Sequence, residues 1–286
     1  MTTQTPQTSQ STAPPPRTTQ SIASALSDGW VVAQRNVIKI KRVPDILVFV
    51  LISPIMFVLL FAFVFGGAID VPGDVDYKEF LVPGIFAQTV VFGATFTGYG
   101  LADDMQKGII DRFRSLPMSR SAMLVGRTTS DVVYNVISLI IMGLTGLLVG
   151  WRVREGVFDA LVGFALLLIF AYAISWIMAY VGLLVPSVEV VNNASFIVIM
   201  PLTFVSNAFV PQEQFSGVLK AFVEWNPVST VALACRERFG NIDPNIPVPD
   251  SWAMQNPEVY TLLWVVAIVA IFAPLSVRQY RLSTSK

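Results

Sequence analysis

Six long stretches almost free of charge constrain this chain more than any other feature. They lie at about 46–69, 80–102, 131–150, 160–185, 192–211 and 259–277, each near or above the roughly 17 to 25 residues that a helix needs to cross hydrocarbon. Of the 286 residues, 54% are hydrophobic and 13% charged, and the apolar ones come in blocks rather than at amphipathic intervals. The expected fold is therefore an all-α integral membrane protein of six transmembrane helices, with a transmembrane domain over 44–278. Only a short region around 186–193, containing Glu189, separates spans four and five. One merged helix there would be far too long, so a hairpin is expected.

Basic residues orient the bundle. Arg35, Lys39, Lys41 and Arg42 precede span one; Lys107, Arg112, Arg114, Arg120 and Arg127 follow span two; Arg278, Arg281 and Lys286 follow span six. The positive-inside rule puts these, and with an even span count both termini, in the cytoplasm of a multi-pass protein of the cell membrane. Residues 1–20 are rich in Thr, Ser, Gln and Pro without the apolar core of a signal peptide, and read as a disordered cytoplasmic tail. Residues 279–286 form a second tail. Over 21–43, Ile22, Leu26, Trp30, Ala33, Val37 and Ile40 recur at helical spacing opposite Asp28, Arg35, Lys39 and Arg42. This is the pattern of an amphipathic helix lying in the cytoplasmic interface against membrane lipids, or packed on the protein's own cytoplasmic face.

Absences exclude much chemistry. There is no histidine, and Cys235 is the single cysteine. An internal disulfide, a Cys/His metal site and a His-based triad are thereby ruled out, and no catalytic or metal-ligating residues are expected. No GxxxxGK[ST] stretch exists to cradle nucleotide phosphates. A formal net charge of zero gives no reason to expect a nucleic-acid partner. Asp131 and Asp159 are read as interfacial anchors at span ends, leaving no carboxylate well inside a span for ion coupling. The expectation is a transport protein whose energy comes from elsewhere.

Two connecting segments carry mechanism. In the loop 103–127, Met105, Ile109, Phe113 and Leu116 make one stripe while Asp104, Lys107, Asp111 and Arg114 make the opposite one, and Pro117 ends the helix. Such a helix offers its charged face to another protein or simply to solvent. Between 211 and 258, apolar residues alternate with Lys220, Glu224, Arg236, Glu237 and Arg238. Two short helices broken at Asn226-Pro227 would dip into the outer leaflet over 218–239, or form a plain extracellular cap. Gly146 and Gly150 have GxxxG spacing for close helix approach, within one chain or between two.

Lys107-Gly108 followed by Asp111-Arg112-Phe113-Arg114-Ser115-Leu116-Pro117 resembles the coupling-loop signature of ABC-2 type export permeases. The block Pro201-Leu202-Thr203-Phe204-Val205-Ser206-Asn207 and the later Asn226-Pro227-Val228 are similar to its daunorubicin-resistance, DrrB-like branch. The resemblance implies a non-catalytic permease with a cytoplasmic coupling helix and short re-entrant helices before the last span. It also implies a homodimer joined by two ABC ATP-binding subunits, which bind the ATP and Mg so that this chain needs no cofactor. Asp104, Lys107, Gly108, Asp111, Arg112, Phe113, Arg114, Ser115, Leu116 and Pro117 would form the ATPase-coupling surface, although Gln106 stands where the family often has an acidic residue. Cargo would pass where spans two and five meet, with Thr97, Tyr99, Phe204 and Asn207 as cavity residues, unless the two aromatics serve only lipid contact or bundle packing. The function implied is outward export of an amphipathic drug or natural product, anthracycline-like. Export of a lipid, glycolipid or polysaccharide, and ion-coupled carriage, are the alternatives.

Overall fold

The computed structural model of the chain describes residues 52–109, 122–246 and 249–283, apart from 53, 68, 70, 186 and 244. The amphipathic segment at 21–43 and the loop residues Asp111 to Pro117 lie outside the described residues. Among the described residues there is no strand, and the helices follow in the order α1 Pro54–Phe65, α2 Tyr77–Gln106, α3 Ala122–Val149, α4 Val157–Leu184, α5 Val188–Phe204, α6 Gly217–Trp225, α7 Pro227–Phe239 and α8 Pro257–Ser283. Four of them, α2, α3, α4 and α8, are long and apolar enough to cross a membrane. The helices α1 and α5 are apolar but shorter. At 17 residues, α5 reaches about 25 Å against a hydrocarbon core of about 30 Å.

Local chemistry sets the boundaries. Asp76 caps α2 by accepting the Lys78 N–H at 2.9 Å, and Ser187 caps α5 by accepting that of Val190 at 3.3 Å. These caps satisfy amides that the first helical turn leaves without partners. The helix α4 ends at Leu184 and α5 begins at Val188, so the two do not merge. Asn226 serves two helices: its Oδ1 accepts the Val228 N–H at 2.8 Å at the start of α7, and its Nδ2 donates to the Leu202 and Val205 carbonyls, both at 2.7 Å, at the end of α5. Pro227 then occupies the first turn of α7, where its missing N–H costs nothing.

The chain wraps around α2, which packs against α1, α3, α4, α5 and α7. Its most apolar stretch is 89% buried, whereas that of α8 is 22% buried, so α2 is the axis and α8 the periphery. Glycine permits the tightest crossing: a Cβ on Gly182 of α4 would lie 2.5 Å from the Gly98 carbonyl oxygen of α2. Gly146 meets Val82 of α2 within this chain. Gly150 instead follows α3 at φ 115° with open space around it, so the pair is an internal contact and a helix terminus, not a helix-packing motif.

The end of the bundle that carries Trp151 is closed by arginines. Arg154 grips Glu79 through two hydrogen bonds of 2.8 Å. Arg238 joins Asp159 of α4 at 2.7 Å to Glu258 of α8. Arg236 is fully buried; it donates to the Phe80 and Asn207 carbonyls, each at 2.7 Å. Its guanidinium also lies 3.6 Å from the centre of the Phe80 ring. Away from these ties, α1, α3, α4, α5 and α8 present large apolar side chains outward, among them Leu148, Phe158, Ile197 and Val266. Such a belt suits lipid and would be a liability in water.

Candidate functional site

The seam between α2 and α3 carries a run of buried polar groups inside the apolar bundle. From the Lys107 end upward, Arg127 lies across Gly100, Asp131 meets Thr97, and Asn135 meets Gly93. Gly100 makes room for the first pair, since a Cβ there would fall 1.8 Å from the guanidinium, and Arg127 uses the space to donate to the Phe96 carbonyl at 2.8 Å. Asp131 accepts a hydrogen bond from Thr97 and pairs with Arg127 at 3.9 Å. It is 5% exposed and nine residues into α3, about 14 Å from the helix start. The helix begins at Ala122, nine residues before the expected start of the span, because partners on α2 absorb the charges of Arg127 and Asp131, so the expected interfacial anchor is a buried, hydrogen-bonded side chain. Asp159, by contrast, stands in the first turn of α4 and accepts from Arg238.

Beyond Asn135 the seam opens into a cavity of about 250 Å³ between α1, α2, α3 and α5. Its lining mixes aromatic rings, Phe57, Phe92, Phe96 and Phe196, with polar side chains, Gln88, Thr89, Thr95, Tyr99, Tyr134, Ser138 and Asn192. Among the described residues none of its lining side chains is charged. The polar groups are not all satisfied internally. Among the described residues Gln88 Oε1 and the neighbouring Asn135 Oδ1 have no hydrogen-bond partner, and Tyr134 and Ser138, one turn apart, have none outside their own pair. All four side chains are at least nine-tenths buried. Buried orphan acceptors and hydroxyls are costly, and they point to a ligand or ordered water as the missing partner. The mouth lies beside the exposed Asn192 and Phe196 of α5.

Of the residues named from sequence as cavity candidates, only Tyr99 lines this cavity, where its hydroxyl donates to Asn192 at 2.6 Å. The side chain of Thr97 is spent on Asp131. Phe204 stands one ring behind the wall, 6.1 Å from Phe57 and 5.2 Å from Phe209. Asn207 is buried at the Trp151 end, donating to Gln212 at 3.0 Å and accepting from Arg236. The structure therefore does not bring these four together. Gln88, Tyr134, Asn135 and Ser138 were missed, although a signal existed: Asp131, Tyr134, Asn135 and Ser138 repeat at three- and four-residue spacing on one face of an apolar helix. Gln88 is moreover the single amide in the stretch 80–102.

At its other end α2 closes on Asp103, Asp104, Gln106, Lys107 and Gly108. Lys107 pairs with Asp103 at 2.7 Å and is largely exposed, and that carboxylate holds its ammonium above the ordinary value. Two aspartates at a helix C-terminus oppose the helix dipole, which local stability does not call for. Gly108 follows in the left-handed region at φ 62°, donating its N–H to Met105 at 3.1 Å, and turns the chain out of the helix.

Comparison with known proteins supplies a context for this geometry. The profile of the ABC-2 type transporter family matches residues 28–237. The daunorubicin resistance ABC transporter permease protein DrrB1 of Streptomyces coeruleorubidus is 34% identical over 267 residues, covering 93% of this chain and 89% of that protein. The probable doxorubicin resistance ABC transporter permease protein DrrC of Mycobacterium tuberculosis is 25% identical over 82% of this chain and 81% of its own length. The putative transport permease ycf38 of Cyanophora paradoxa is 25% identical over 70% of each chain.

Proposed function

Because this chain belongs to the ABC-2 type transporter family, we propose that it is the permease subunit of an ATP-driven exporter that moves amphipathic, anthracycline-like compounds outward across the cell membrane. The observation that carries the reading is the cavity: lined by aromatic rings and by polar side chains, three of which keep unsatisfied buried atoms among the described residues, in a bundle whose outer surface is apolar. Such a site offers an amphipathic molecule more than either water or lipid does. In this reading α1 and α5 complete six spans, both termini are cytoplasmic, and α6 and α7 enter and leave the outer leaflet as re-entrant helices. The N-terminal amphipathic helix lies at the inner interface.

The energy source is a pair of ABC ATP-binding subunits, which hold ATP and Mg, on a dimer of this permease. They dock on the surface formed by Asp104, Lys107, Gly108, Asp111, Arg112, Phe113, Arg114, Ser115, Leu116 and Pro117. Closure of the ATPases pushes the end of α2, and Arg127, bonded to the Phe96 carbonyl, links the start of α3 to the cavity wall. Reconstitution with the ATP-binding subunit tests this: daunorubicin should stimulate hydrolysis, and the double variant Arg112→Glu, Arg114→Glu should lose both subunit binding and stimulation while still inserting in the membrane. Unchanged stimulation in that variant would refute the docking surface.

The buried Asp131 favours a second reading, an ion-coupled carrier. Its bonds to Thr97 and Arg127 account for it structurally. The carrier reading requires transport by the chain alone under a proton gradient, and loss of that transport in Asp131→Asn.

A further inference from the structure

We infer that the cavity selects the uncharged form of its cargo: it is a site for a neutral, hydrogen-bonding amphipath and discriminates against a cation. The inference rests on the exporter reading and specifies its substrate class. Its polar lining is built only from amides and hydroxyls among the described residues, and Gln88, Tyr134 and Ser138 keep buried polar atoms that no other described residue outside the Tyr134–Ser138 pair satisfies. Asp131 and Arg127 are outside the described lining and answer each other, Thr97 and the Phe96 carbonyl. A cationic group entering at this depth would lose its hydration and meet no carboxylate, a penalty that dipoles alone offset poorly. Hydroxyl and amide groups of a cargo instead fill the vacant positions, while Phe57, Phe92 and Phe96 cover its apolar face. At about 250 Å³ the space is a little below the roughly 300 Å³ at which drug sites begin.

The test uses the full-length chain in lipid nanodiscs and two fluorescent probes that differ at one group. These are daunorubicin, cationic through its sugar amine, and its neutral analogue with hydroxyl in place of that amine. Binding is measured by probe fluorescence, with protein-free nanodiscs subtracted to remove partition into lipid. The neutral probe should bind about tenfold or more tightly than the cation. Gln88→Leu and Ser138→Ala should each weaken the neutral probe about tenfold and leave the cation unchanged. Gln88→Leu removes an unsatisfied buried oxygen, so heating curves followed by labelling of the buried Cys235 should show equal or higher stability for that variant. A purely structural role would give that stability without altered binding.

Equal or tighter binding of the cation, a preference that survives both substitutions, or no binding of either probe would each overturn the inference. Drug-stimulated hydrolysis with the ATP-binding subunit reports separately on the exporter reading. If the cation proves both the tighter ligand and the stimulant, selectivity for neutral cargo fails while ATP-driven export stands.

Discussion

Arg236 is held in the interior by backbone carbonyls and one aromatic ring, and it ties α7 to α2 and to the turn after α5. Replacement by Met keeps the aliphatic stem but removes the hydrogen bonds to the Phe80 and Asn207 carbonyls in an apolar setting. We expect a loss of about 3 kcal/mol from two charge-assisted hydrogen bonds. The lone, fully buried thiol of the adjacent Cys235 reports it: in Arg236→Met, maleimide labelling on heating should begin at a clearly lower temperature. An unchanged labelling curve would show that these bonds contribute nothing. Gly108 bears on function at the same scale. Its φ of 62° suits glycine and strains a β-branched residue by about 1–2 kcal/mol, and the surrounding space is open. Gly108→Val should therefore redirect the loop without disturbing the core: expression stays normal, and recovery of the ATP-binding subunit on the tagged permease falls several-fold.

Among the elements, Asn226 is the joint where three helices depend on one side chain, since it receives the end of α5, follows α6 and starts α7. Asn226→Ala should cost about 2 kcal/mol, at the upper end for a cap because the α5 carbonyls are released as well, and the same thiol-labelling curve checks it. The break at Asn226-Pro227 was legible in sequence because Pro at the first helical turn and Asn before it are local signals. So were the apolar blocks that became α2, α4 and α8. The start of α3 was not legible. Arg127 and Asp131 read as loop and anchor because what neutralises them, Gly100, Thr97 and the Phe96 carbonyl, sits on a helix about thirty residues earlier in the chain. The cavity failed for the same reason: residue type nominated Thr97 and Asn207, but whether such a side chain faces a void or a partner is decided by the neighbouring helix. Gly150 shows the converse, since its spacing from Gly146 suggested packing while its φ of 115° makes it a terminus.

For the whole molecule, the arrangement separates an apolar exterior, a buried polar seam and an acidic helix end at Asp103 and Asp104. A carrier powered by ions and a permease powered by a partner would use the seam differently. In the first, Asp131 must exchange protons; in the second, it only holds α3 against α2. Asp131→Asn keeps the size and the Thr97 contact, so the account predicts retained ATP-dependent transport with a modest loss of stability. The central claim is tested most directly in proteoliposomes that carry the permease with its ATP-binding subunit, nucleotide outside, with daunorubicin or its neutral analogue followed by fluorescence. Accumulation inside should require ATP, magnesium and the second subunit together, and should vanish with Arg112→Glu, Arg114→Glu. Accumulation by the permease alone under a proton gradient, lost in Asp131→Asn and indifferent to ATP, would contradict it.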